Sequence, residues 1–372
     1  MCMGEEPANG IHNVRIAKST RSIPAAVLKE RYSLHRTPRL EHLGGVAYDT
    51  VIQARRQIES ILRGEDERFI VFIGQCSTRD PQESLEIAQN LAEWQEEVKD
   101  HILIVKREYG LKPRTEDGWQ GFVSDPNMDG TNDRNKGIEL FYSLLVQINA
   151  LGVPVISELV DARLANLFGD ALAAIAVGAR DVTGMTHRQM ASGMSMPVGF
   201  KNTCEGSIDA AVTAVSYASK PGFFPGPDDY GSDCYHETLG NPYGFVILRG
   251  SDTRSNYDAQ TIADTTAKLL SKGLHDTIVV DASHGNSRKD YVRQPEAWEA
   301  VLRQRVLGNK EIVGIMAEMN IYEASIEIPK DLTGFDAKTL PFGVSVTDSC
   351  MSLQMGKDLV FRTYEALSKH HD

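Results

Sequence analysis

Short apolar runs recur along the chain and alternate with segments in which apolar residues have a helical spacing. The runs are continuous rather than alternating, which is typical of strands that are buried on both faces of a sheet. Eight such runs occur, at 69–74, 102–105, 153–156, 173–177, 196–200, 245–248, 277–280 and 312–316. The pattern therefore predicts eight buried strands.

Helical periodicity fills most of the intervals between these runs. The predicted helices span 82–97, 137–151, 207–219, 259–272, 295–307 and 353–368. Eight buried strands alternating with helices predict an α/β fold of the (β/α)8 class, the TIM barrel. A doubly wound open sheet is the alternative, but it normally shows a glycine-rich phosphate turn after its first strand. Here the first run ends in Gly74-Gln75-Cys76-Ser77 instead.

The segments outside this rhythm suggest how the chain is organised. Residues 1–65 precede the first strand and include a basic stretch at 31–39 and a predicted helix at 48–62. We expect them to form an N-terminal arm that packs on the barrel or on another subunit, with residues 66–372 forming the catalytic barrel. Two long polar segments, 109–136 and 220–243, are predicted to be functional loops, the second inserted before strand six.

Composition excludes several classes of function. The chain has 372 residues, and 51 acidic against 39 basic side chains give a net charge of −12, which argues against a nucleic-acid partner. No apolar run approaches the roughly 20 residues of a membrane helix, and no apolar signal region is visible near Met1. Five widely spaced cysteines fit a reducing compartment. We therefore expect a cytoplasmic protein without a membrane partner.

The residues at the carboxyl ends of the predicted strands fall into two chemical groups. In such barrels the active site lies at these ends. One group could ligate a divalent metal of borderline softness, namely Mn, Fe, Co or Zn. It consists of Cys76, His284, Glu318 and Asp348. The other group could bind a small anion that carries phosphate and carboxylate. It consists of Arg107, Lys112, Arg180, Lys201 and Arg249.

A structural role stays open for each of these residues taken alone. A single cysteine at a strand end is often a small buried apolar residue, and a lone histidine or glutamate is often a hydrogen-bonded structural group. An isolated arginine is often a solvated surface charge. The functional interpretation depends on the joint pattern, in which every predicted strand is followed by a metal-type or anion-type residue.

Several motifs carry a resemblance to a known family. They are Lys112-Pro113-Arg114-Thr115 with Gly118-Trp119, then Gly178-Ala179-Arg180, 197–202, 246–250, 283–287 and 346–348. Together they resemble the 3-deoxy-D-arabino-heptulosonate 7-phosphate (DAHP) synthase family, in its short, feedback-regulated type I branch of bacteria and fungi. The likeness runs from about Val14 to the C-terminus.

The resemblance implies a metal-dependent barrel enzyme that condenses phosphoenolpyruvate with erythrose 4-phosphate and releases phosphate. That reaction opens the shikimate pathway to the aromatic amino acids, and the family implies a homodimer or homotetramer. The implied metal ligands are Cys76, His284, Glu318 and Asp348. The implied substrate contacts are Arg107 and Lys112 for carboxylate, Arg180, Lys201 and Arg249 for phosphate, and Arg114 and Thr115 for the aldehyde's phosphate.

Three of these residues have further predicted roles. Lys112 and His284 are the candidate catalytic proton carriers, and Glu158 at the third strand end is a candidate for handling water in the substrate site. Which of them moves a proton is open from sequence alone.

The chain also departs from the family pattern near the predicted site. The departures are Gln75, Arg79, Leu111, Asp181 and Thr203. Asp181 directly follows Arg180, so its carboxylate either competes for the guanidinium or forms an ion pair elsewhere. Two alternatives therefore stay open, a paralogue that uses a different aldehyde and a weakly active barrel with a regulatory or binding role.

Overall fold

The computed structural model describes residues 44–227 and 233–369. Its strands are β1 Phe69–Gly74, β2 Ile102–Arg107, β3 Val155–Glu158, β4 Ala174–Val177, β5 Val198–Lys201, β6 Gly222–Pro227, β7 Asp233–Thr238, β8 Gly244–Leu248, β9 Ile278–Asp281 and β10 Ile312–Glu318. Eight of them form a closed barrel in the order β1-β10-β9-β8-β5-β4-β3-β2, and all its pairings are parallel. The predicted (β/α)8 barrel is confirmed, and its eight strands are the eight apolar runs.

The helices lie between the strands. They are α1 Gly45–Leu62, α2 Pro81–Val98, α3 Arg134–Ala150, α4 Ala165–Phe168, α5 Met185–Ala191, α6 Ile208–Ala218, α7 Ala259–Leu270, α8 His284–Ser287, α9 Gln294–Val306 and α10 Leu353–Ser368. Side-chain caps begin several of them, as where Asp80 accepts from the Gln82 amide and Pro81 takes the first position of α2. Among the residues described, no helix is both long enough and apolar enough to span a membrane.

The segment predicted to be a long loop before strand six contains an antiparallel hairpin instead. Strands β6 and β7 pair from Gly222 opposite Thr238 to Pro227 opposite Asp233. Phe224 on its inner face is buried. Glycine and proline fill four of the six positions at 222–227. Both residues are normally depleted in strands, so the sequence pattern concealed the hairpin. The position of the insertion was predicted correctly, but its structure was not.

Helix α1 closes the amino-terminal end of the barrel. Its apolar face contributes Ala54, Ile58 and Ile61 to the cluster that fills the barrel interior, together with side chains such as Phe72 and Phe245. A second cluster lies between the strands and the surrounding helices. Helix α1 belongs to the predicted N-terminal arm, whereas the basic stretch at 31–39 lies outside the described residues.

A buried arginine attaches α1 to the segments that lead into β4 and β5. Arg55 Nε lies 3.0 Å from the Leu172 carbonyl oxygen, and Arg55 Nη1 lies 3.0 Å from Ser195 Oγ. Charged donors in such bonds are stronger than neutral ones, and their removal leaves buried acceptors without a partner.

We expect Arg55→Met to lower the free energy of unfolding by about 2–3 kcal/mol, because buried carbonyl groups lose a charged donor. The matched control is Arg56→Met, since Arg56 is the exposed neighbour on the same helix. Urea unfolding followed by circular dichroism measures both. Equal stability of the two variants would contradict the assigned role of Arg55.

Candidate active site

The strand register brings the carboxyl ends of β1, β2 and β10 together. Gly74 at the end of β1 pairs with Glu318 on one side and with Arg107 on the other. A Cβ atom at Gly74 would lie 2.5 Å from the Arg107 carbonyl oxygen, so only glycine fits this close approach. Arg107 Nη2 lies 2.9 Å from Glu318 Oε1, and both side chains are buried.

The predicted metal ligands lie together at this rim. Cys76 Sγ and carboxylate oxygens of Glu318 and Asp348 all lie within 4.8 Å of one another. His284 is adjacent, with Nε2 3.5 Å from Glu318 Oε1. One thiol, two carboxylates and an imidazole at this spacing suit a divalent metal of borderline softness. The donor set therefore fits the metal that the sequence predicts.

The electrostatics of this group favour a bound cation. Burial raises the pKa of the Cys76 thiol to about 11, and the neighbouring Glu318 and Asp348 carboxylates add to that rise. Burial also acts to raise the pKa of Asp348, but interactions with His284, Lys112 and Lys289 outweigh it and lower the pKa to about 2. A divalent cation among these groups would offset the repulsion and favour the thiolate.

Asp281 is part of the site, although the sequence analysis assigned it no role. Asp281 Oδ2 lies 2.9 Å from His284 Nδ1 and 3.4 Å from Lys201 Nζ. Burial opposes its ionisation, but interactions with His284 and Lys201 hold its pKa well below the usual range. Asp281 thus lies where carboxylates commonly orient metal-binding histidines.

The backbone at His284 is in an uncommon conformation. Its φ is +52°, in the left-handed region that residues other than glycine seldom adopt. Such strain is typical of functional sites, where surrounding contacts hold a side chain in one orientation.

Three of the predicted anion-binding cations surround the ring of Tyr109. Arg107 Cζ lies 4.4 Å from the ring centre, Lys201 Nζ 5.7 Å and Lys112 Nζ 6.0 Å. Burial raises the pKa of the phenol above its ordinary value, so the ring stays neutral. Tyr109 therefore stabilises three converging cations through its π face. The sequence analysis missed this role, because tyrosine next to a strand end is also a common core residue.

Two of the predicted anion-binding arginines have unused hydrogen-bond donors. Arg107 Nε and Nη1 and Arg249 Nη1 are buried without a hydrogen-bond partner in the described part of the chain. Buried charged donors are costly when unpaired, and a planar carboxylate or a phosphate would satisfy them. Lys112 joins the predicted anion-binding cations to the metal-type group, because its Nζ lies 3.1 Å from Cys76 Sγ.

Three other predicted substrate residues, Arg114, Thr115 and Arg180, lie at the exposed outer edge of the rim. Arg114 Nε donates to the Trp119 carbonyl oxygen at 2.8 Å, within the loop after β2. Arg180 Nε donates to Thr115 Oγ1 at 2.8 Å and so joins the end of β4 to that loop. The structure thus places Arg180 with Arg114 and Thr115 rather than among the buried cations.

Glu158 and Asp181 form a pair of neighbouring carboxyl groups near Arg180. Both approach Gly178, where an added Cβ would collide with Glu158 Oε1 and lie 3.5 Å from Asp181 Oδ2. Burial raises the pKa of Asp181, and the Glu158 charge adds to the rise. Asp181 Oδ2 is buried without a hydrogen-bond partner among the described residues, and Arg180 bonds to Thr115 instead.

The other four departures from the family pattern contact residues outside the metal-type group and the predicted anion-binding cations. Gln75 Oε1 accepts from Ser84 Oγ at 2.8 Å. Arg79 forms an ion pair with Glu83. Leu111 packs against the core, and Thr203 Oγ1 accepts from the Ser207 amide at 3.0 Å. Asp181 is therefore the departure that bears most directly on the chemistry of the site.

Residues 49–360 match the model of the family described as the DAHP synthetase I family. The chain belongs to the DAHP synthetase I family. A tyrosine-sensitive phospho-2-dehydro-3-deoxyheptonate aldolase of Salmonella typhimurium is 40% identical over 320 residues, 86% of this chain and 88% of that protein. A tyrosine-inhibited protein of the same name from Candida albicans is 36% identical over 323 residues, 86% of each chain. The resemblance drawn from the motifs is confirmed.

A solved structure supports the same assignment. The phospho-2-dehydro-3-deoxyheptonate aldolase of Francisella tularensis superposes with a TM-score of 0.84 at 33% sequence identity. The match covers 95% of this chain and 98% of that one.

Tyr109 offers a test of how the family's cation cluster is held in this chain. We expect Tyr109→Leu to raise the KM for phosphoenolpyruvate, the predicted anion, about tenfold, because the cations lose their π face. Tyr109→Phe keeps the ring and is the matched control, with a KM near that of the unchanged protein. Steady-state kinetics measure both, and an equal KM in the two variants would show that the ring acts only by filling space.

Asp181 offers a test of charge beside the predicted phosphate site. We expect Asp181→Asn to bind phosphoenolpyruvate about three- to tenfold more tightly near pH 8, because roughly 1 kcal/mol of repulsion is removed. Since the raised pKa keeps Asp181 protonated to higher pH than an ordinary aspartate, the advantage should shrink as the pH falls. Calorimetric titrations over this pH range measure the effect. Asp358→Asn on exposed α10 is the control, and a pH-independent advantage would contradict the explanation.

Proposed function

We propose that this chain is an aldolase-type transferase that condenses phosphoenolpyruvate with erythrose 4-phosphate to give DAHP and phosphate. This is the first step of aromatic amino-acid biosynthesis. The observation that carries the proposal is the contact between the two site groups, where Glu318 of the metal-type group meets the partly unsatisfied guanidinium of Arg107. The names of the curated relatives agree with it.

The cations give phosphoenolpyruvate one orientation in this proposal. Its carboxylate would bind Arg107 and Lys112, and its phosphate would bind Lys201 and Arg249, with Arg180 closing from the rim. Two anionic groups held at fixed positions place the reacting enol carbon toward the metal-type group, so that binding supplies much of the orientation. Arg114 and Thr115 on the outer loop would bind the phosphate of the aldehyde substrate.

The cofactor in this proposal is a divalent metal ion, Mn, Co, Fe or Zn, held by Cys76, His284, Glu318 and Asp348. Such an ion, when bound, polarises an aldehyde carbonyl as a Lewis acid. The enol carbon of phosphoenolpyruvate would attack the aldehyde carbon, whose oxygen takes up a proton, and water would add to the phosphate-bearing carbon with loss of a proton. The carbon–oxygen bond to phosphate in the resulting hemiketal would then break, which leaves a ketone and releases inorganic phosphate. Glu158, at the end of β3, is the proposed residue that orients the water.

Lys112 is the better of the two candidates for carrying a proton. Burial acts to lower its pKa, but interactions with Cys76, Glu318 and Glu158 outweigh it and raise the pKa, so Lys112 stays protonated at neutral pH and would give its proton only to a strongly basic atom such as a developing alkoxide. Its Nζ lies 2.8 Å from the Cys76 carbonyl oxygen. His284 Nδ1 faces Asp281, so Nε2 is the ring nitrogen that could bind a metal. We therefore assign His284 to metal binding rather than to proton transfer.

The hairpin supports the proposed homodimer or homotetramer. Its outer face exposes Phe223 and Tyr235, and Leu239 follows it with 91% of its surface exposed. Clustered exposed apolar side chains of this size commonly mark a protein interface. A second copy of the chain is the simplest partner, and light scattering of the purified protein measures the assembly.

Asp181 is the observation that favours the alternative acceptor aldehyde. Its carboxylate lies near Glu158 and adjoins Arg180, which donates to Thr115 in the proposed site for the aldehyde's phosphate. A regulatory barrel without activity has less support, because an inactive protein has no need of the clustered metal-type donors.

The decisive measurement is phosphate release from phosphoenolpyruvate with added Mn²⁺ or Co²⁺. We expect release only when erythrose 4-phosphate is present, loss of release with a chelator, and at least a 100-fold lower rate for Cys76→Ser. Cys234→Ser on the hairpin is the matched control and should keep the full rate. Protein that binds one metal ion per chain but releases no phosphate in response to erythrose 4-phosphate would favour another aldehyde as the substrate. Protein that binds no metal would favour the regulatory alternative.

A further inference from the structure

A buried ion pair lies close to the loop that carries Cys76. Arg79 Nη2 contacts Glu83 Oε1, and the side chains are 8% and 1% exposed. Arg79 belongs to the same β1–α2 loop as Cys76, and Glu83 lies in the first turn of α2. The pair therefore fixes the end of the Cys76 loop to the helix that follows it.

Both members of the pair also bind the loop that carries Asp348. Arg79 Nη2 donates to the Pro341 carbonyl oxygen at 3.1 Å, and the Gly343 amide donates to Glu83 Oε1 at 2.7 Å. Gly343 has a φ of +77°, which favours glycine where the loop turns toward Glu83. The ion pair thus joins two loops that are far apart in the sequence.

A second contact joins the same loops directly beside the proposed ligands. Ser77 Oγ lies 2.8 Å from Thr347 Oγ1, and these residues adjoin Cys76 and Asp348. The two loops are therefore joined at two places, one next to the ligands and one farther out at the Arg79–Glu83 pair.

The cost of burying this pair indicates a role other than stability. Taking two charges out of water costs several kcal/mol per ion, and the attraction between them repays it only when every polar atom is satisfied. Arg79 Nε and Glu83 Oε2 are buried with no hydrogen-bond partner among the residues described. Residues behind metal ligands commonly hold those ligands in place.

We propose that Arg79 and Glu83 are positioning residues, which hold the Cys76 loop and the Asp348 loop at the separation that a divalent metal needs. The inference rests on the proposed metal site and adds to it two residues that supply no ligand atom. It also gives a function to Arg79, one of the departures from the family pattern.

The test is the double variant Arg79→Met/Glu83→Gln, which removes both charges without leaving one unpaired. Calorimetric titration with Mn²⁺, without substrates, should give a dissociation constant about 10- to 100-fold higher than that of the unchanged protein. Urea unfolding of the metal-free protein should change little, because neutral replacement of a buried pair is often nearly neutral. If the pair had a purely structural role, the double variant would be less stable to urea and its Mn²⁺ dissociation constant would be unchanged.

The matched control is Lys99→Met/Glu96→Gln, which removes the exposed ion pair at the other end of α2. It should leave the Mn²⁺ dissociation constant unchanged. Cys76→Ser is the reference for loss of a ligand and separates the two proposals. If Cys76→Ser weakens binding and Arg79→Met/Glu83→Gln does not, the positioning role is wrong and the metal site stands. If neither weakens binding, the metal site itself is wrong.

Glu83→Asp keeps the test decisive if the double variant does not fold. It retains the negative charge but is one methylene shorter, so it cannot reach Arg79 and the Gly343 amide together. A several-fold weaker Mn²⁺ affinity in the folded variant supports the positioning role, and an unchanged affinity overturns it.

Discussion

The ion pair between Arg107 and Glu318 joins the predicted anion-binding cations to the metal-type group at the carboxyl rim of the barrel. Both side chains are buried, and two buried charges are tolerated only where further partners satisfy them. Glu318 lies beside the Cys76 thiol and the Asp348 carboxylate, which do not neutralise its charge, and two nitrogens of Arg107 have no hydrogen-bond partner among the described residues. The pair is thus incomplete by itself. A cation beside Glu318 and an anion beside Arg107 would complete it together, so the two proposed ligands should support each other's binding.

The fold and most of the rim could be predicted because both depend on local pattern and simple topology. Continuous apolar runs identify buried parallel strands, and in a closed parallel barrel the strand ends meet at one rim. Cys76 and Glu318 therefore come together although they lie at opposite ends of the barrel sequence. The same rule explains why Arg107, the last residue of β2, and Lys201, the last residue of β5, both approach the ring of Tyr109.

Other features depend on side-chain partners that the sequence does not specify. A carboxylate at a strand end, such as Asp281, is equally compatible with metal ligation and with holding a histidine, and only the 2.9 Å contact to His284 decides between them. The partners of Arg79 include the Pro341 carbonyl oxygen, which is remote in the sequence and a backbone atom. The hairpin was missed for another reason, since pairing between its strands overrides the low strand propensity of glycine and proline.

A second buried network on the outside of β2 shows the same use of charge near the site. Lys106 contacts Glu108, and Glu108 accepts from Thr78 and, at 2.9 Å, from Ser84 Oγ. Because a buried carboxylate is costly unless such donors surround it, few arrangements of the segment around Thr78 are compatible with a buried Glu108. An apolar contact in the same place would permit many more arrangements of that segment. The loop that carries Cys76 is therefore held on one side by Glu108 and on the other by Glu83, so that its position is fixed by directional bonds rather than by packing alone.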